Sequence, residues 1–237
     1  MISLEWILEQ LFKKAVVGHH IKDGTLQHRC WLSTIYNAVS RPGELKYVDT
    51  SNWMWHPRFD TTDFKWVETK TSSVQAMPVL PDKKHYLLCI YHCLGSFWTV
   101  EDGLFRDETD PSSSATFLFP LLRGFKDNSV ANRILNTIRN ILPDNTPEEL
   151  KKSYSGKSLR QAGITFLLLG HSLSYTDVTG RSGHDSNTTV DTYQDKTNIA
   201  TGMRAAKLLA HWDPDADVKV PKLDSLTDSA VYDMMKC

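Results

Sequence analysis

The chain has 237 residues, of which 41% are hydrophobic and 23% charged, an ordinary composition for one large globular domain or one domain with appendages. No apolar run is long enough to cross a bilayer, and the N-terminus, Met1 to Trp6, has no basic stretch before an apolar core. The sequence therefore predicts neither a membrane span nor a secretory signal.

The formal net charge of −1 argues mildly against nucleic acid binding, but the charges are unevenly distributed. Residues 101–120 hold one Arg against five acids, and residues 211–237 hold three Lys against six Asp. Residues 121–160, in contrast, hold eight Lys and Arg against four acids. A basic middle between acidic flanks suits a surface that faces phosphate, with a solvated helix face as the alternative explanation.

The first half of the chain contains helical patterns followed by strand patterns. Apolar residues at helical spacing predict an amphipathic helix over residues 3–17. A second predicted helix, over residues 26–39, ends before Pro42, because proline disfavours a helical conformation in the residue before it. Strand patterns at residues 64–67 and 74–79 flank a polar connection, which predicts an antiparallel hairpin.

The second half is predominantly helical in pattern. Residues 83–97 predict a third helix, and the acidic, Ser-rich residues 101–116 predict a mobile loop. Further helices are predicted over residues 129–142, 156–169 and 198–212. The fold class that follows is mainly α with a small antiparallel β-sheet, an α+β domain.

The end of the chain and the cysteines complete this description. Residues 213–237 are rich in Asp and predict a C-terminal tail after a domain that spans residues 1–212. Cys89 and Cys93 lie one helical turn apart and are predicted to be two buried thiols on one helix face. A reducing, intracellular compartment is the default for such cysteines.

The residues that indicate a chemistry lie between positions 157 and 193. Lys157 and Arg160 are three residues apart, so a helix places both cations on one face. His184 follows Gly183, and Tyr193 lies nine residues later. This spacing leaves room for a turn and a short helix that return the tyrosine hydroxyl to the imidazole.

This segment resembles the second half of the active site of the tyrosine recombinases, also called the phage-integrase family. That family has His-or-Lys-x-x-Arg, later Gly-His, and then a Tyr about one short helix beyond. Its first Arg follows a helix and often precedes a Glu by three residues, a pattern that Arg41 and Glu44 fit. Its catalytic Lys lies on a β-hairpin, where Lys70 is the matching residue and Lys65 the alternative. The resemblance covers roughly residues 25–210 and implies the catalytic-domain fold of the family.

The resemblance implies a DNA strand-breaking and rejoining enzyme. The six implied catalytic residues are Arg41, Lys70, Lys157, Arg160, His184 and Tyr193. The two arginines and the histidine would hold the scissile phosphate, with the lysine at 157 assisting, while Glu44 orients Arg41 or a neighbouring backbone amide. The tyrosine would attack and the hairpin lysine would protonate the leaving 5′-oxygen. A 3′-phosphotyrosyl link conserves the bond energy, so neither ATP, a cofactor nor a metal is expected.

Two further features set the expected partners and the alternatives. The forty residues before Arg41 are too few for the usual N-terminal DNA-clamping domain, and the net charge is not positive; both argue against independent, sequence-specific DNA binding. The expected partners are double-stranded DNA and further copies of the chain, assembled on DNA through the C-terminal segment. The expected setting is a mobile element, with the protein located with DNA in the cytoplasm, nucleoid or nucleus. The alternatives are a type IB topoisomerase and a non-cutting module that binds DNA or protein.

Overall fold

Eight α-helices and one three-stranded antiparallel sheet make up the part of the chain that the computed structural model describes. The described residues are 3–17, 24–48, 53–56, 61–67, 74–100, 118–122, 124–170, 173–182 and 199–218. The predicted class, mainly α with a small antiparallel sheet, is confirmed at this level. The predicted mobile loop at residues 101–116 lies outside the described residues.

The helices and strands occur in a mixed order along the chain. They are α1 (Leu4–Val17), α2 (Thr25–Ala38), β1 (Trp53–His56), β2 (Thr61–Val67), β3 (Val74–Val79), α3 (Ile90–Val100), α4 (Asp127–Arg139), α5 (Glu148–Ser153), α6 (Gly156–Thr165), α7 (Tyr175–Ser182) and α8 (Ile199–Leu209). Short 3-10 helices occur at Pro42–Tyr47 and Pro120–Leu122, and a π-helical turn at Phe166–Gly170 continues α6. No helix in these ranges is long and apolar enough to cross a bilayer.

Helix α2 is the centre of the core, because every one of its residues except His28 is buried. The helices α1, α3 and α6 pack around it. Its polar side chains bond to backbone carbonyls of its neighbours, which removes the cost of burying them. Ser33 Oγ and Asn37 Nδ2, for example, each donate to the carbonyl of Leu88 at 3.0 Å. A helix buried on all sides is a rigid reference for any residue that follows its end.

The end of α2 is defined by two residues with non-helical backbone. Val39 adopts a left-handed conformation (φ 53°), and Ser40 N–H closes the helix on the Ile35 carbonyl at 3.2 Å. Arg41 is extended (φ −77°, ψ 142°), as expected before a proline, and Pro42 begins the 3-10 helix. The predicted stop before Pro42 is confirmed, and it places Arg41 at the junction of two helices.

The sheet is larger than predicted. β2 pairs antiparallel with both β1 and β3, with Thr62 opposite Val79 and Val67 opposite Val74 in the second pair. β2 begins at Thr61, and its first three residues are polar but buried. The Thr61 hydroxyl, for example, donates to the Val79 carbonyl at 3.2 Å. A hydrophobicity pattern does not reveal such a strand end, nor the short β1.

The third helix begins later than its apolar pattern predicts. α3 starts at Ile90 rather than near residue 83, because the Asp82 carboxylate accepts the backbone N–H groups of Lys84 (2.8 Å) and His85 (2.7 Å). This side chain holds the backbone in a turn, the usual way in which aspartate competes with a helix. The predicted buried thiols are confirmed: Cys89 and Cys93 are both buried and free.

Two helices were not predicted, and one of them matters for the site. α7 has the composition Tyr-Thr-Asp-Val-Thr-Gly-Arg-Ser, which has low helix propensity. Its start is held by an N-cap, in which Ser174 Oγ accepts the Asp177 N–H at 3.1 Å and donates to the Asp177 carboxylate at 2.6 Å. α8, in contrast, was predicted, and it buries Ala205, Leu209 and other apolar residues in its own chain. The six residues from Asp213 continue onto the core, where Val218 is buried.

Candidate active site

The structure describes three of the six sequence-predicted site residues and brings two of them together. Arg41, Lys157 and Arg160 lie in described segments, whereas Lys70, His184 and Tyr193 lie outside the described residues. Lys70 belongs to the connection between β2 and β3, which pair antiparallel as expected for a hairpin. His184 and Tyr193 belong to the stretch between α7 and α8.

Arg41 is held in place by Glu44, as the sequence predicted. Glu44 Oε2 accepts the backbone N–H of Arg41 at 2.6 Å, and Glu44 Oε1 accepts from Arg41 Nη1 at 3.1 Å. The Glu44 N–H in turn donates to the Arg41 carbonyl at 3.0 Å, which starts the 3-10 helix. Glu44 is buried while the Arg41 side chain is 25% exposed, so the carboxylate anchors a guanidinium that still reaches solvent.

Helix α6 brings Arg160 to the same end of α2. Ser155 Oγ accepts the Ser158 N–H at 3.2 Å and so caps the start of the helix. Gly163 lies so close to α2 that a Cβ there would be 3.2 Å from the Tyr36 carbonyl oxygen and 3.3 Å from Val39 Cγ2. Gly163 therefore touches the last turn of α2, and Arg160, one turn earlier in α6, is close enough to Arg41 for their charges to interact.

The Arg160 guanidinium is buried between its own helix and the end of α7. Its side chain is 8% exposed, and Nη2 donates to the carbonyl of Ser182, the last residue of α7. Burial, and then the nearby positive charge of Arg41, lower the pKa of Arg160 from 12.5 to about 10, while the charge of Glu44 acts in the opposite direction. Arg160 therefore remains a cation at neutral pH, in a cluster of two guanidinium groups and one carboxylate.

Lys157 lies at the entrance rather than inside this cluster. It is in the first turn of α6, one turn before Arg160, and its side chain is exposed. The spacing of three residues puts the two cations on one side of α6, as predicted. The inner position is therefore an arginine and the outer position a lysine.

The basic region predicted from residues 121–160 also reaches this part of the molecule. α4 packs on the 3-10 helix that follows Arg41, and Lys46 Nζ joins the two through Asp127 Oδ1 (2.7 Å) and the Phe125 carbonyl (3.0 Å). Arg133 is exposed, with its guanidinium carbon 4.6 Å from the centre of the Phe125 ring. An exposed arginine on α4, the helix that packs on the 3-10 helix after Arg41, suits the phosphate-facing surface that the charge distribution suggested.

Sequence reasoning missed the groups that hold the arginines in position. The Ser182 carbonyl is one, and a backbone acceptor has no sequence signal. The Ser-x-x-Asp pattern at Ser174 and Asp177 was the available signal for the start of α7, but it does not indicate that the helix ends at Ser182.

The residues that the structure describes bring together cations and not metal ligands. No group of three or more His, Cys, Asp and Glu within them could hold a metal ion.

Comparisons with protein-family models, with curated proteins and with solved structures found no match to this chain. Arg41 and Arg160 place two cations near the Glu44 carboxylate, and a guanidinium group has the geometry for a bidentate bond to phosphate.

Proposed function

We propose that the chain cleaves and rejoins DNA through a 3′-phosphotyrosyl intermediate, with Tyr193 as the nucleophile. The observation that supports this most strongly is the convergence of Arg41 and Arg160 at the end of α2, although they are far apart in the sequence. The resemblance to tyrosine recombinases pairs these same two residues as the phosphate clamp. A solvated helix arginine and an isolated turn arginine have no reason to meet in this way.

The clamp suits phosphoryl transfer for an electrostatic reason. As an oxygen attacks the phosphodiester, negative charge grows on the non-bridging oxygens, and preorganised cations stabilise that state more than the ground state. Arg160 is buried and Arg41 is fixed by Glu44, so neither needs to reorganise during the reaction. Removing one such donor in enzymes typically costs about 10²- to 10³-fold in rate.

The remaining roles complete the reaction in our proposal. Tyr193 Oη loses its proton to a neighbouring acceptor and attacks phosphorus, while the bond from phosphorus to the 5′-oxygen breaks. Lys70 donates a proton to the leaving 5′-oxygen, and His184 and Lys157 add hydrogen bonds to the phosphate. A second 5′-hydroxyl then attacks the phosphotyrosyl phosphorus and releases Tyr193, so the number of phosphodiester bonds is conserved.

We propose recombination or integration for a mobile element, with several copies assembled on double-stranded DNA. α8 covers its apolar face with its own chain, so a contact to the next protomer through the C-terminal segment would use residues after Val218. The exposed cations of α4, such as Arg133, would follow the DNA backbone away from the cut.

The test is covalent trapping on nicked duplexes. A nick placed just beyond each candidate site, in a randomised pool, lets the leaving fragment diffuse away and traps the adduct. We expect a denaturing gel to show a protein–DNA adduct for the wild type and none for Tyr193→Phe, a variant that keeps the ring. If duplex binding is confirmed but no adduct forms across the pool, the chain is a non-cutting module. If adducts form but the protein only relaxes supercoils and never exchanges strands between two sites, it is a type IB topoisomerase.

A further inference from the structure

Arg181 is a buried cation that joins four elements of the fold. It lies in the last turn of α7 and is 4% exposed. Its Nε (3.2 Å) and Nη2 both donate to the Asn37 carbonyl near the end of α2. Nη2 also donates to the Pro78 carbonyl in β3 at 3.1 Å, and Nη1 donates to the Gly202 carbonyl in α8 at 3.3 Å.

The surroundings of Arg181 hold its guanidinium in a fixed position. Burial lowers its pKa to about 9, and the negative charge of the buried Asp63 in β2 opposes that shift. Gly202 allows α8 to approach the sheet, because a Cβ at this position would lie 2.9 Å from Pro78 Cδ. The planar fork of arginine can reach three carbonyls at once, a geometry that the single ammonium of lysine does not reproduce.

Arg181 also connects the two arginines of the candidate site. Asn37, its acceptor in α2, lies four residues before Arg41, and the intervening chain is held by the left-handed turn at Val39. Ser182, the residue after Arg181, is the backbone acceptor of Arg160. The buried guanidinium of Arg181 therefore fixes the end of α2 relative to the end of α7. The end of α2 positions Arg41, and the end of α7 holds Arg160.

We propose that Arg181 is a positioning residue that sets the separation of Arg41 and Arg160 and so tunes the clamp to a phosphate. This inference rests on the proposed function and deepens it. Arg181 does not touch the reacting atoms; it acts through Ser182 and Asn37. The Arg181–Gly202 bond also ties together the two helices, α7 and α8, that precede and follow the stretch carrying His184 and Tyr193.

The chain offers a matched control in Arg29. This residue of α2 is 0% exposed, and its Nη2 donates to the carbonyls of Tyr86 (3.2 Å) and Leu87 (3.3 Å) and lies 3.0 Å from His92 Nδ1. It is as buried as Arg181 and has similar acceptors, but it lies eight residues before Asn37, about two helical turns away. Arg181→Lys and Arg29→Lys therefore remove comparable structural bonds, only one of which leads to the clamp.

The first readout is kinetic, at a temperature where both variants are folded. We expect Arg181→Lys to lower the single-turnover rate of adduct formation at saturating nicked DNA by at least about ten-fold, because small misplacements of catalytic groups have large effects. Its Kd for DNA is expected to stay within about two-fold of wild type, since phosphate contacts outside the site dominate affinity. Arg29→Lys should keep the wild-type rate. Equal rate losses in the two variants, in proportion to their losses of stability, would overturn the inference.

The second readout does not require cutting. Side-chain N–H signals of ¹⁵N-labelled arginine are followed while vanadate, a mimic of the phosphoryl transition state, is added. We expect Arg41 and Arg160 to shift together in wild type and in Arg29→Lys, and only at ten-fold higher vanadate in Arg181→Lys. Arg181→Gln, which keeps a hydrogen-bonding side chain, replaces the Lys variant if that protein does not fold.

The two readouts separate the two proposals. If the vanadate affinity depends on Arg181 but the wild type forms no adduct, the strand-cutting function is disproved and the positioning role stands. A titration in which Arg181→Lys or Arg181→Gln equals wild type overturns the positioning role, whatever the adduct assay shows.

Discussion

The two ends of helix α2 each hold a buried arginine, and the comparison between them separates a structural cation from a site. Near the start, Arg29 bonds to two carbonyls and to His92, and its guanidinium carbon lies 4.9 Å from the centre of the Phe12 ring. No other cation approaches it among the contacts that the structure describes. Near the end, Arg160 lies beside a second guanidinium, Arg41.

The two regions differ in the number of neighbouring cations and in their access to solvent. At the start of α2 a single, fully buried cation contacts a ring and backbone carbonyls, an arrangement that stabilises the charge and keeps it away from solvent. At the other end two cations lie near the carboxylate of Glu44, which bonds to Arg41, and the Arg41 side chain reaches solvent. Like charges held together lower each other's stability, and a bound anion relieves that repulsion. Burial alone therefore does not identify a functional arginine.

The largest effect is expected from changing the inner arginine of the clamp. Arg160→Lys keeps the charge but loses the fork, so adduct formation on nicked DNA should fall by about 10²- to 10³-fold. Single-turnover rates on saturating DNA measure this. The matched control is Arg204→Lys, an exposed arginine of α8, which should retain the wild-type rate. A loss below about three-fold in Arg160→Lys would mean that Arg160 is a structural cation like Arg29.

The next effect belongs to the start of α2 and appears as a pH dependence of stability. Burial, and then the charge of Arg29, lower the pKa of His92 from 6.5 to about 4. Between these values the unfolded chain binds a proton that the folded chain does not. The stability contributed by neutral His92 is therefore complete above pH 6.5 and falls as the pH is lowered towards 4. The slope from this residue is at most about 1.4 kcal/mol per pH unit.

Urea unfolding at several pH values between 7 and 4 measures this slope. His92→Gln, which keeps an acceptor without titrating, should show a flatter profile over the same range. If the two profiles are parallel, His92 titrates alike in the folded and unfolded chains and the enclosed character of this region is disproved. Anion binding at the other end of α2 should be unchanged in His92→Gln.

The smallest expected effect tests whether packing between α6 and α2 sets the distance between Arg41 and Arg160. Gly163→Ala places a methyl group 3.2 Å from the Tyr36 carbonyl and 3.3 Å from Val39 Cγ2, both in the last turn of α2 or just after it. Neither neighbour moves easily, so α6 must shift by a few tenths of an ångström and carry Arg160 with it. We expect vanadate affinity to fall by a few-fold. The free energy of unfolding should change little, because the helix propensity of alanine, roughly 1 kcal/mol better than that of glycine, offsets the cost of the tight contact.

A titration of vanadate together with a denaturant curve measures both quantities. Gln161→Ala, an exposed position in the same helix, is the control for helix propensity and should leave the affinity unchanged. An unchanged affinity in Gly163→Ala would show that the separation of the arginines does not depend on the contact between α6 and α2.

Local patterns determined a large part of the fold. The periodicity of α1, α2, α4 and α8 and the alternation of β2 and β3 depend on neighbours in the sequence, so these elements were predictable to within a few residues. So was the stop before Pro42, because proline acts on the residue beside it. The pairing of Arg41 with Glu44 was predictable for the same reason, since three residues in a turn bring the two side chains together.

Only the tertiary structure decided how the site is assembled. α7, poor in helix formers, is held in the fold by buried Arg181, which donates to the carbonyls of Asn37, Pro78 and Gly202. The approach of α6 to α2 depends on the missing side chain of Gly163, and the acceptor of Arg160 is the backbone of Ser182. These contacts join residues distant in the sequence through carbonyls and close packing, which no local pattern encodes. The sequence alone named the two arginines as a pair; packing around the end of α2 determined that they meet.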